Sequence, residues 1–586
     1  MKKSIIFGMI AGAVALSSCN DFLDDNRYPL DKQTDNPEYW NNEMNVKGQC
    51  NYFYSEYLGY GNGTSWTNDF YYRSLSDDQS AKISSGSGII FADWDFQYAP
   101  EKNSSWDATY TVIRRCNIII NNVEVSTLPE KVKANYIGIA KLNRAFQYFD
   151  IVRKFGDVCL VTEVLDVNSP ELYGPRVNRN TVMDFVLDDI NYAAENITLQ
   201  SSKSEFSKDM ANAMKSQICL FEGAFAKYHQ NDNARAEKYF NEVVNACNAV
   251  MGSYRLAPTY RENYNSSRTA ILANPEMIFC KTYISGQLGH SMCKYLSSNT
   301  PICGMTKDAF DAYLFKDGKP LATTGEVKSD AGKLDANGKI DLTDVLAVRD
   351  SRLSQTIDDH LAYNGNQFTR TDAAGTAVSD PLASNTGYTI KKYVDVNVGY
   401  DAITNDGSNT VCAPIYWLAN VYLDYAEARA ELGQLTDTDV ANTLNKLYAR
   451  AGLPDQTVAS LSNMNDPANN MGVSSLLWEV RRCRRCELMF DHYTRYWDLI
   501  RWHKLDLLDT TKPENIDIVL GANVSAADDA ANAGVIVTDG YINSAKTTAG
   551  TSTRVFSDRE YLQPIGTTLL NLYNLKDIEF KQNPGW

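Results

Sequence analysis

The chain has 586 residues, of which 44% are hydrophobic and 22% are charged, a composition typical of globular proteins. A single core seldom keeps growing at this length, so we expect two or more packed subdomains. The 56 basic residues against 72 acidic ones give a formal net charge of -16. This charge excludes a general nucleic-acid binder, because phosphate contacts require a basic surface, and it excludes membrane attachment through a polybasic patch.

The N-terminus predicts export and lipid anchoring. Two lysines precede an apolar run over residues 5–16 that is too short to span a bilayer. Cys19 follows Leu-Ser-Ser, as in the bacterial lipobox, where the signal is cut before an acylated cysteine; an ordinary secretory peptide with an incidental cysteine is the alternative. We expect a signal peptide over 1–18 and a lipid anchor on Cys19. The acidic residues 20–25 resemble tags that send lipoproteins to the outer face of the outer membrane.

The cysteines do not predict a disulfide framework. The chain has 12 cysteines, and assigning Cys19 to lipid leaves 11, an odd number with no regular spacing. Cys483 and Cys486 form a C-x-x-C without a second cysteine pair or a neighbouring histidine motif. They are therefore expected to be helix residues of the core and not zinc ligands.

Apolar residues at intervals of three and four predict a series of helix pairs. Each pair spans roughly 35 to 45 residues and resembles tetratricopeptide stacking without the strict consensus. The predicted helical segments are 106–120, 132–155, 181–196, 211–229, 234–251, 415–432, 438–451 and 475–502.

The predicted fold class is mainly α, a scaffold of helix pairs elaborated by long loops and a few short strands. Helical periodicity fades between residues 255 and 413, where Gly, Ser, Asn, Asp and Thr dominate. So long an irregular stretch is typical of functional surface. The expected organisation is a signal peptide (1–18), a lipid-anchored tether and start of the fold (19–45), an N-terminal helical region (46–255), a loop-rich ligand-facing region (256–413) and a C-terminal region (414–586).

Five segments spread along the chain carry recognisable motifs. They are W-x3-Y at 106–110 with Asn117, N-R-A-F-Q-Y-F-D at 143–150 followed by F-G-D-V, the helix from Ile415 to Ala428, E-L at 487–488 with R-Y-W-D-L-I-R-W at 495–502, and Q-N-P-G-W at the end. Together, and in this order, they resemble the SusD/RagB family of outer-membrane nutrient-binding lipoproteins. Cys159, Cys483 and Gly566 depart from the family's pattern at positions that we assign to the scaffold.

The resemblance implies a SusD-like lipoprotein of the outer membrane, facing the cell exterior, that caps a SusC-like TonB-dependent receptor. It implies a glycan ligand, or a peptide or glycopeptide in some members, and no cofactor. The chain contains no H-E-x-x-H, G-x-S-x-G, P-loop or G-x-G-x-x-G motif. A non-catalytic binding protein is therefore favoured over the alternative of a lipid-anchored glycoside hydrolase.

Aromatic residues indicate where a ligand would bind. Nine of the 21 residues from Tyr52 to Tyr72 are aromatic, and a second cluster alternates with polar residues near residue 94. Sugar rings stack on flat aromatic faces, while Asp, Asn and Gln bind their hydroxyls. Tyr54 and Tyr57 are assigned to helix packing. The candidate ligand-binding residues are Trp66, Tyr71, Tyr72, Asp93, Trp94 and Phe96, with Tyr283, Tyr295 and Tyr313 from the irregular middle region.

The arginine-rich run over 481–485 could form an anion site or lock a helix into the scaffold. We favour structural ion pairs, since Asp498 lies three residues from both Arg495 and Arg501 on a helix.

An acidic segment in the irregular region offers a possible calcium loop. Gly338 would supply the sharp turn, but Lys333 stands where the first carboxylate of such a loop should be. An acidic solvated turn is the alternative. The ligand-like positions are Asp335, Asn337, Asp341 and Asp344.

Overall fold

The computed structural model describes most of the chain after residue 35. The described residues are 36–63, 76–80, 98–198, 202–296, 303–363, 370–371, 377–378, 384–395, 405–491, 494–527, 535–547, 550–551 and 553–586. Within these ranges, no helix is both long enough and apolar enough to cross a membrane. The predicted signal peptide and Cys19 lie outside the described residues.

The described residues form a mainly helical fold with short strands, as predicted. The helices are α1 Pro37–Trp40, α2 Glu43–Asn51, α3 Ser104–Val125, α4 Glu130–Phe155, α5 Arg179–Asn196, α6 Lys208–Tyr228, α7 Asn233–Met251, α8 Arg268–Ala273, α9 Met292–Leu296, α10 Lys307–Asp311, α11 Thr343–Ala347, α12 Ser351–Thr356, α13 Leu418–Glu431, α14 Asp437–Asn442, α15 Leu444–Ala451, α16 Val458–Ser462, α17 Ser475–Glu487, α18 Thr494–Arg501 and α19 Thr567–Asn574. The strands are β1 Gln79–Ser80, β2 Met277–Lys281, β3 Gly304–Met305, β4 Lys333–Leu334, β5 Ile340–Asp341, β6 Arg370–Thr371, β7 Ala377–Val378, β8 Ala413–Trp417, β9 Leu520–Asn523, β10 Val537–Thr538, β11 Tyr541–Asn543, β12 Lys546–Thr547 and β13 Gly550–Thr551.

Helices α3 to α7 pack in sequence, each against the next, and confirm the predicted helix pairs. Their ends follow local signals. Pro129 precedes α4, Gly156 ends it in a left-handed backbone with φ of +72°, and the Ser207 hydroxyl caps α6 by accepting the Met210 N–H. Such signals are visible in the sequence, which explains why the predicted and observed bounds nearly agree.

Two hydrophobic cores meet at a shared wall. The first core lies mainly among α3 to α7, and the second lies beneath the irregular middle region. The antiparallel pair of β2 and β8 separates them, with Phe279 in the first core and Cys280 in the second. Helix α13 also lies between the two cores, since Val421 faces the first core and Leu423 faces the second. A helix that is apolar on opposite faces is buried, and α13 therefore joins the two halves of the molecule.

The predicted helix over 415–432 begins later than expected. Ile415 and Trp417 belong to β8, where Trp417 pairs with Met277. The extended backbone of Trp417 ends the strand, and its N–H is accepted by the Asn420 side chain at 3.3 Å. The strand pairing therefore outweighs the helical periodicity of residues 415–417.

Two other predicted helices are each divided. The segment over 438–451 breaks at Thr443, whose backbone leaves the helical region at φ of -127° and ψ of -83°. The segment over 475–502 ends as α17 at Glu487 and resumes as α18 at Thr494. Phe490 stands between them in a left-handed conformation, with φ of +65°. A bulky residue rarely adopts this conformation, and periodicity alone did not indicate it.

The arginines of α17 form buried ion pairs and not an anion site. The Arg484 guanidinium binds Asp424 at 2.7 Å and Asp498 at 2.9 Å. Glu427, on α13, accepts two hydrogen bonds of 2.7 Å from Arg501. The predicted pair of Asp498 and Arg501 is confirmed at 2.8 Å, whereas Arg495 binds Asp77 instead. These pairs lock α13, α17 and α18 together.

The described cysteines are free thiols packed as small apolar residues, as predicted. Ten of the 11 are buried, including Cys483 and Cys486 in the second core, and Cys159 is half-buried. Burial raises the pKa of Cys483 to about 11 and that of Cys486 to about 12, so both stay protonated at neutral pH.

Replacing Glu427 should test the interior ion pairs. We expect Glu427→Ala to lower the free energy of unfolding by about 3 to 5 kcal/mol, because it removes one of the two carboxylates that pair with the buried Arg501 guanidinium and the acceptor of the Trp502 indole N–H. Urea denaturation followed by circular dichroism measures this change. Asp344→Ala removes the exposed pair with Lys333 and should cause little change. Equal effects of the two substitutions would contradict a structural role for the buried network.

Candidate ligand-binding surface

A short buried segment, residues 76–80, connects the two aromatic-rich parts of the sequence. Asp77 accepts two hydrogen bonds from Arg495, at 2.8 and 2.6 Å, and Asp78 accepts one from Arg485 at 2.7 Å. The Arg554 guanidinium donates to the carbonyls of Ser76 and Gln79. These contacts hold the segment against the scaffold, and we call residues 76–80 the anchor.

The two aspartates of the anchor have pKa values shifted in opposite directions. Burial raises the pKa of Asp78 to about 6, and the neighbouring Asp77 carboxylate adds to this effect. Although burial also opposes ionisation of Asp77, Arg485 and Arg495 hold its pKa well below the ordinary range. Asp77 is therefore the permanent anion of the pair.

Six of the predicted ligand-binding residues lie outside the described residues, on the two segments that flank the anchor. Segment 64–75 ends at the anchor, and segment 81–97 begins after it. The residues concerned are Trp66, Tyr71, Tyr72, Asp93, Trp94 and Phe96.

Two predicted ligand-binding residues, Tyr283 and Tyr313, are core residues. Tyr283 is 2% exposed; its hydroxyl donates to the Gly61 carbonyl at 2.8 Å and accepts the Tyr60 N–H at 2.9 Å. Tyr313 is fully buried, and its hydroxyl donates to the Cys486 carbonyl at 3.4 Å. Neither ring offers a face to a sugar, so the prediction is corrected for both residues.

Tyr295 occupies a different environment, at the surface. Helix α9 buries Met292, Cys293 and Leu296, which leaves Lys294 and Tyr295 half-buried on its outer side. The Tyr295 hydroxyl donates to Asp406 Oδ1 at 2.8 Å, and Lys294 Nζ donates to Asp406 Oδ2 at 2.9 Å. Although burial opposes it, these hydrogen bonds lower the pKa of Asp406. The carboxylate holds the ring in one orientation.

Hydrogen bonds among Gly63, Gly289 and Ser291 fix the backbone near Tyr295. The Gly63 N–H donates to the Gly289 carbonyl at 2.7 Å, and the Ser291 hydroxyl donates to the Gly63 carbonyl at 3.3 Å. A Cβ on Gly289 would lie 2.1 Å from the Gly407 carbonyl oxygen, so only glycine permits this approach. We call the surface formed by Gly63, residues 284–289, Ser291, Tyr295 and residues 406–407 the Tyr295 surface.

The Tyr295 surface combines apolar and polar groups. Ile284 and Leu288 are 37% and 36% exposed and form the bridge that closes a short turn. Gln287, between them, is exposed. A surface that offers an aromatic ring, aliphatic side chains, an amide and a carboxylate suits a ligand that presents both an apolar face and hydroxyl groups.

His290 lies beneath this surface as a neutral imidazole. Its Nδ1 accepts the Met292 N–H at 3.2 Å, so Nε2 carries the proton and donates to the Val411 carbonyl at 2.9 Å. Burial lowers the pKa of His290 to about 3. The His290 backbone also exchanges two hydrogen bonds with Asn409. The ring and the backbone of His290 therefore both connect the segments on either side of the surface.

The segment considered as a possible calcium loop is held by contacts within the chain. Asp335 Oδ1 accepts the N–H groups of Asn337 and Lys339 at 2.8 Å each, and Asp344 pairs with Lys333. The Asp341 Oδ1 atom accepts the Thr343 N–H at 2.7 Å. These contacts are typical of an acidic turn.

A group that could hold a metal lies beside that turn. Among the described residues, Asp358, Asp359 and His360 each place one possible ligand atom within 4.8 Å of the others. His360 Nδ1 lies 2.8 Å from Asp359, and its Nε2 lies 3.7 Å from Asp335. The carboxylates and the imidazole thus contact each other directly.

Comparison with known proteins identifies the family of this fold. Residues 275–586 match the model of the SusD family, and residues 21–220 match a second model described as "Starch-binding associating with outer membrane". The first match alone covers more than half of the chain. The chain therefore belongs to the SusD family.

Curated relatives share the family but only part of their lengths is aligned. A SusD-like protein of Bacteroides ovatus is 25% identical over 69% of this chain and 66% of its own length, which is just under two thirds. The SusD-like protein P38 of Formosa agariphila is 36% identical over 20% of this chain and 22% of its own length.

Solved structures match the fold over nearly the whole chain. A SusD-like carbohydrate-binding protein from Bacteroides fragilis has a TM-score of 0.67 at 20% identity, covering 91% of this chain and 99% of its own. A laminarin-binding SusD-like protein has a TM-score of 0.55 at 21% identity, covering 93% of this chain and 100% of its own. At these identities the likeness establishes the fold and not the ligand.

Acidification should destabilise the region around His290. The unfolded chain takes up a proton near the ordinary histidine pKa of 6.5, whereas the folded state does so only near pH 3. Stability from His290 is therefore complete above pH 6.5 and is lost as the pH falls. We expect a loss of about 2 kcal/mol between pH 7 and pH 5 from this residue.

The measurement is urea denaturation of the wild type and His290→Gln at both pH values. The wild type should lose about 2 kcal/mol more than the variant, since glutamine does not titrate. Identical pH dependence in the two proteins would show that folding does not lower the pKa of His290.

Proposed function

We propose that this protein is a surface-exposed lipoprotein of the outer membrane that binds glycans and delivers them to a SusC-like TonB-dependent receptor. The observation that carries the proposal is the Tyr295 surface, where a partly exposed ring is oriented by Asp406 beside exposed polar and apolar groups. Membership of the SusD family supports it, as do structural neighbours named for laminarin and surface-glycan binding. Lipid on Cys19 would anchor the protein.

The aromatic segments flanking the anchor extend the proposed site. Segment 64–75 follows directly after Gly63, whose backbone contacts Gly289 and Ser291 on the Tyr295 surface. Trp66 stands three residues after Gly63 in the sequence. We propose that Trp66 and Trp94 add stacking area to the site.

A peptide or glycopeptide ligand is the second candidate. The exposed Ile284 and Leu288 favour it, because aliphatic side chains pack well against apolar peptide side chains. Catalysis is not part of the proposal: purified protein incubated with a glycan that it binds should release no shorter products. Turnover that survives repurification would favour the glycoside hydrolase instead.

Replacing Tyr295 should weaken glycan binding. Loss of one stacking platform that acts as a hot spot costs about 1 to 3 kcal/mol, or about fivefold to a hundredfold in affinity. Native gels containing plant, fungal and host glycans should identify a polysaccharide that retards the wild type, and Tyr295→Ala should be retarded less by the same polysaccharide.

Tyr425→Ala is the matched control for that experiment. Tyr425 is also half-buried, and its hydroxyl donates to the Asp439 carboxylate at 2.9 Å on α14, away from the Tyr295 surface. This variant should bind like the wild type. If folded Tyr295→Ala is retarded as strongly as Tyr425→Ala, Tyr295 does not bind the glycan.

Replacing Cys19 should release the protein from the membrane. We expect Cys19→Ala to leave an exported but untethered protein, because acyl chains on this thiol provide the anchor. Fractionation with a high-salt wash measures it in a strain lacking the partner receptor, which could otherwise retain the protein. A variant that remains in the washed outer membrane would contradict anchoring through Cys19.

A further inference from the structure

Lys392 is a fully buried lysine enclosed by aromatic rings. Its side chain has no exposed surface. The Nζ atom lies 3.6 Å from the centre of the Tyr264 ring, 5.1 Å from that of Tyr260 and 5.5 Å from that of Tyr393. A lysine without solvent around its amine is unusual, since this side chain normally keeps its charge in water.

The amine is held directly against a buried carboxyl group. Lys392 Nζ donates to Asp491 Oδ1 at 2.8 Å and to the Met489 carbonyl at 2.7 Å. The Asp491 side chain is only 4% exposed, and its second oxygen, Oδ2, accepts the Tyr264 hydroxyl at 2.9 Å. The reacting groups of an amide bond are therefore in contact, with a hydroxyl donor on the carbonyl side.

The backbone next to Asp491 is strained. Phe490 adopts φ of +65°, a conformation that is costly for a bulky side chain. The Phe490 carbonyl accepts the Tyr393 hydroxyl at 3.0 Å. Residues 489–491 therefore contact both Lys392 and Tyr393. Strain of this kind persists where the surrounding structure enforces it, and it clusters at functional sites.

Burial also moves both groups toward their neutral forms. It lowers the pKa of the Lys392 amine and raises the pKa of the Asp491 carboxyl. A neutral amine is the nucleophilic form of lysine, and a protonated carboxyl can lose hydroxide as water.

We propose that Lys392 and Asp491 condense to form an intramolecular isopeptide bond. The Nζ lone pair attacks Cγ of the protonated Asp491 side chain, and the Tyr264 hydroxyl stabilises the negative charge that develops on Oδ2. One amine proton passes to the departing Oδ1 hydroxyl, the Cγ–Oδ1 bond breaks, and water leaves. The N–C bond replaces the C–O bond, so no oxidant, reductant or co-reactant is needed.

Such a bond would join the irregular middle region to the turn after α17. It closes a loop over residues 392–491, and cross-links of this kind stabilise a fold chiefly by restricting the unfolded chain. The inference is independent of the proposed function and of the ligand.

The mass of the intact, denatured wild-type protein tests the proposal. It should be lower than the sequence mass by one water molecule, and digestion with trypsin should yield a branched peptide joining Lys392 to Asp491. Cleavage after Lys307 provides an internal control, because its pair with Asp311 at 2.7 Å is partly exposed.

Variants of the residues involved distinguish the isopeptide bond from other reactions that release water. Lys392→Arg and Asp491→Ala should restore the unmodified mass, and Tyr264→Phe should reduce the cross-linked fraction. An unmodified wild-type mass, or a loss of water located at other residues, would overturn the proposal and leave Lys392 and Asp491 as an ion pair. The wild-type measurement decides the matter even if these variants fail to fold.

Discussion

The structure depends on the buried ion pairs between the arginines of α17 and carboxylates from distant parts of the chain. Arg484 reaches Asp424 on α13, and Arg485 reaches Asp78 in the anchor. Desolvating such groups is expensive, and each is tolerable only because its partner is in place. The pairs therefore enforce one relative placement of α13, α17 and the anchor. Helix α13 is the element through which this constraint reaches both hydrophobic cores.

The same constraint positions the proposed binding surface. Arg495 holds Asp77 in the anchor, and the Gly289 carbonyl accepts the N–H of Gly63. Asp406, His290 and Ser291 hold the backbone and the Tyr295 ring by hydrogen bonds within the scaffold. A preformed surface loses little conformational entropy on binding, which suits the proposed capture of a ligand.

The sequence predicted the helices well because a 3.6-residue period and capping residues are local signals. It did not predict the break at Phe490, since a left-handed conformation of a bulky residue is imposed by tertiary contacts. The same limit applies to the site. Tyr283 and Tyr295 sit in similar sequence surroundings, yet Tyr283 packs against His290 inside the second core. Asp406 lies 111 residues from Tyr295, and no sequence pattern joins them.

Hydrogen–deuterium exchange with and without a retarding glycan tests the central claim most directly, because it reports on every backbone amide without a substitution. The account predicts slower exchange on glycan binding at residues 284–296 and 405–411, with no change at residues 437–451. Slower exchange confined to another face, such as that of α19, with none at residues 284–296, would contradict it.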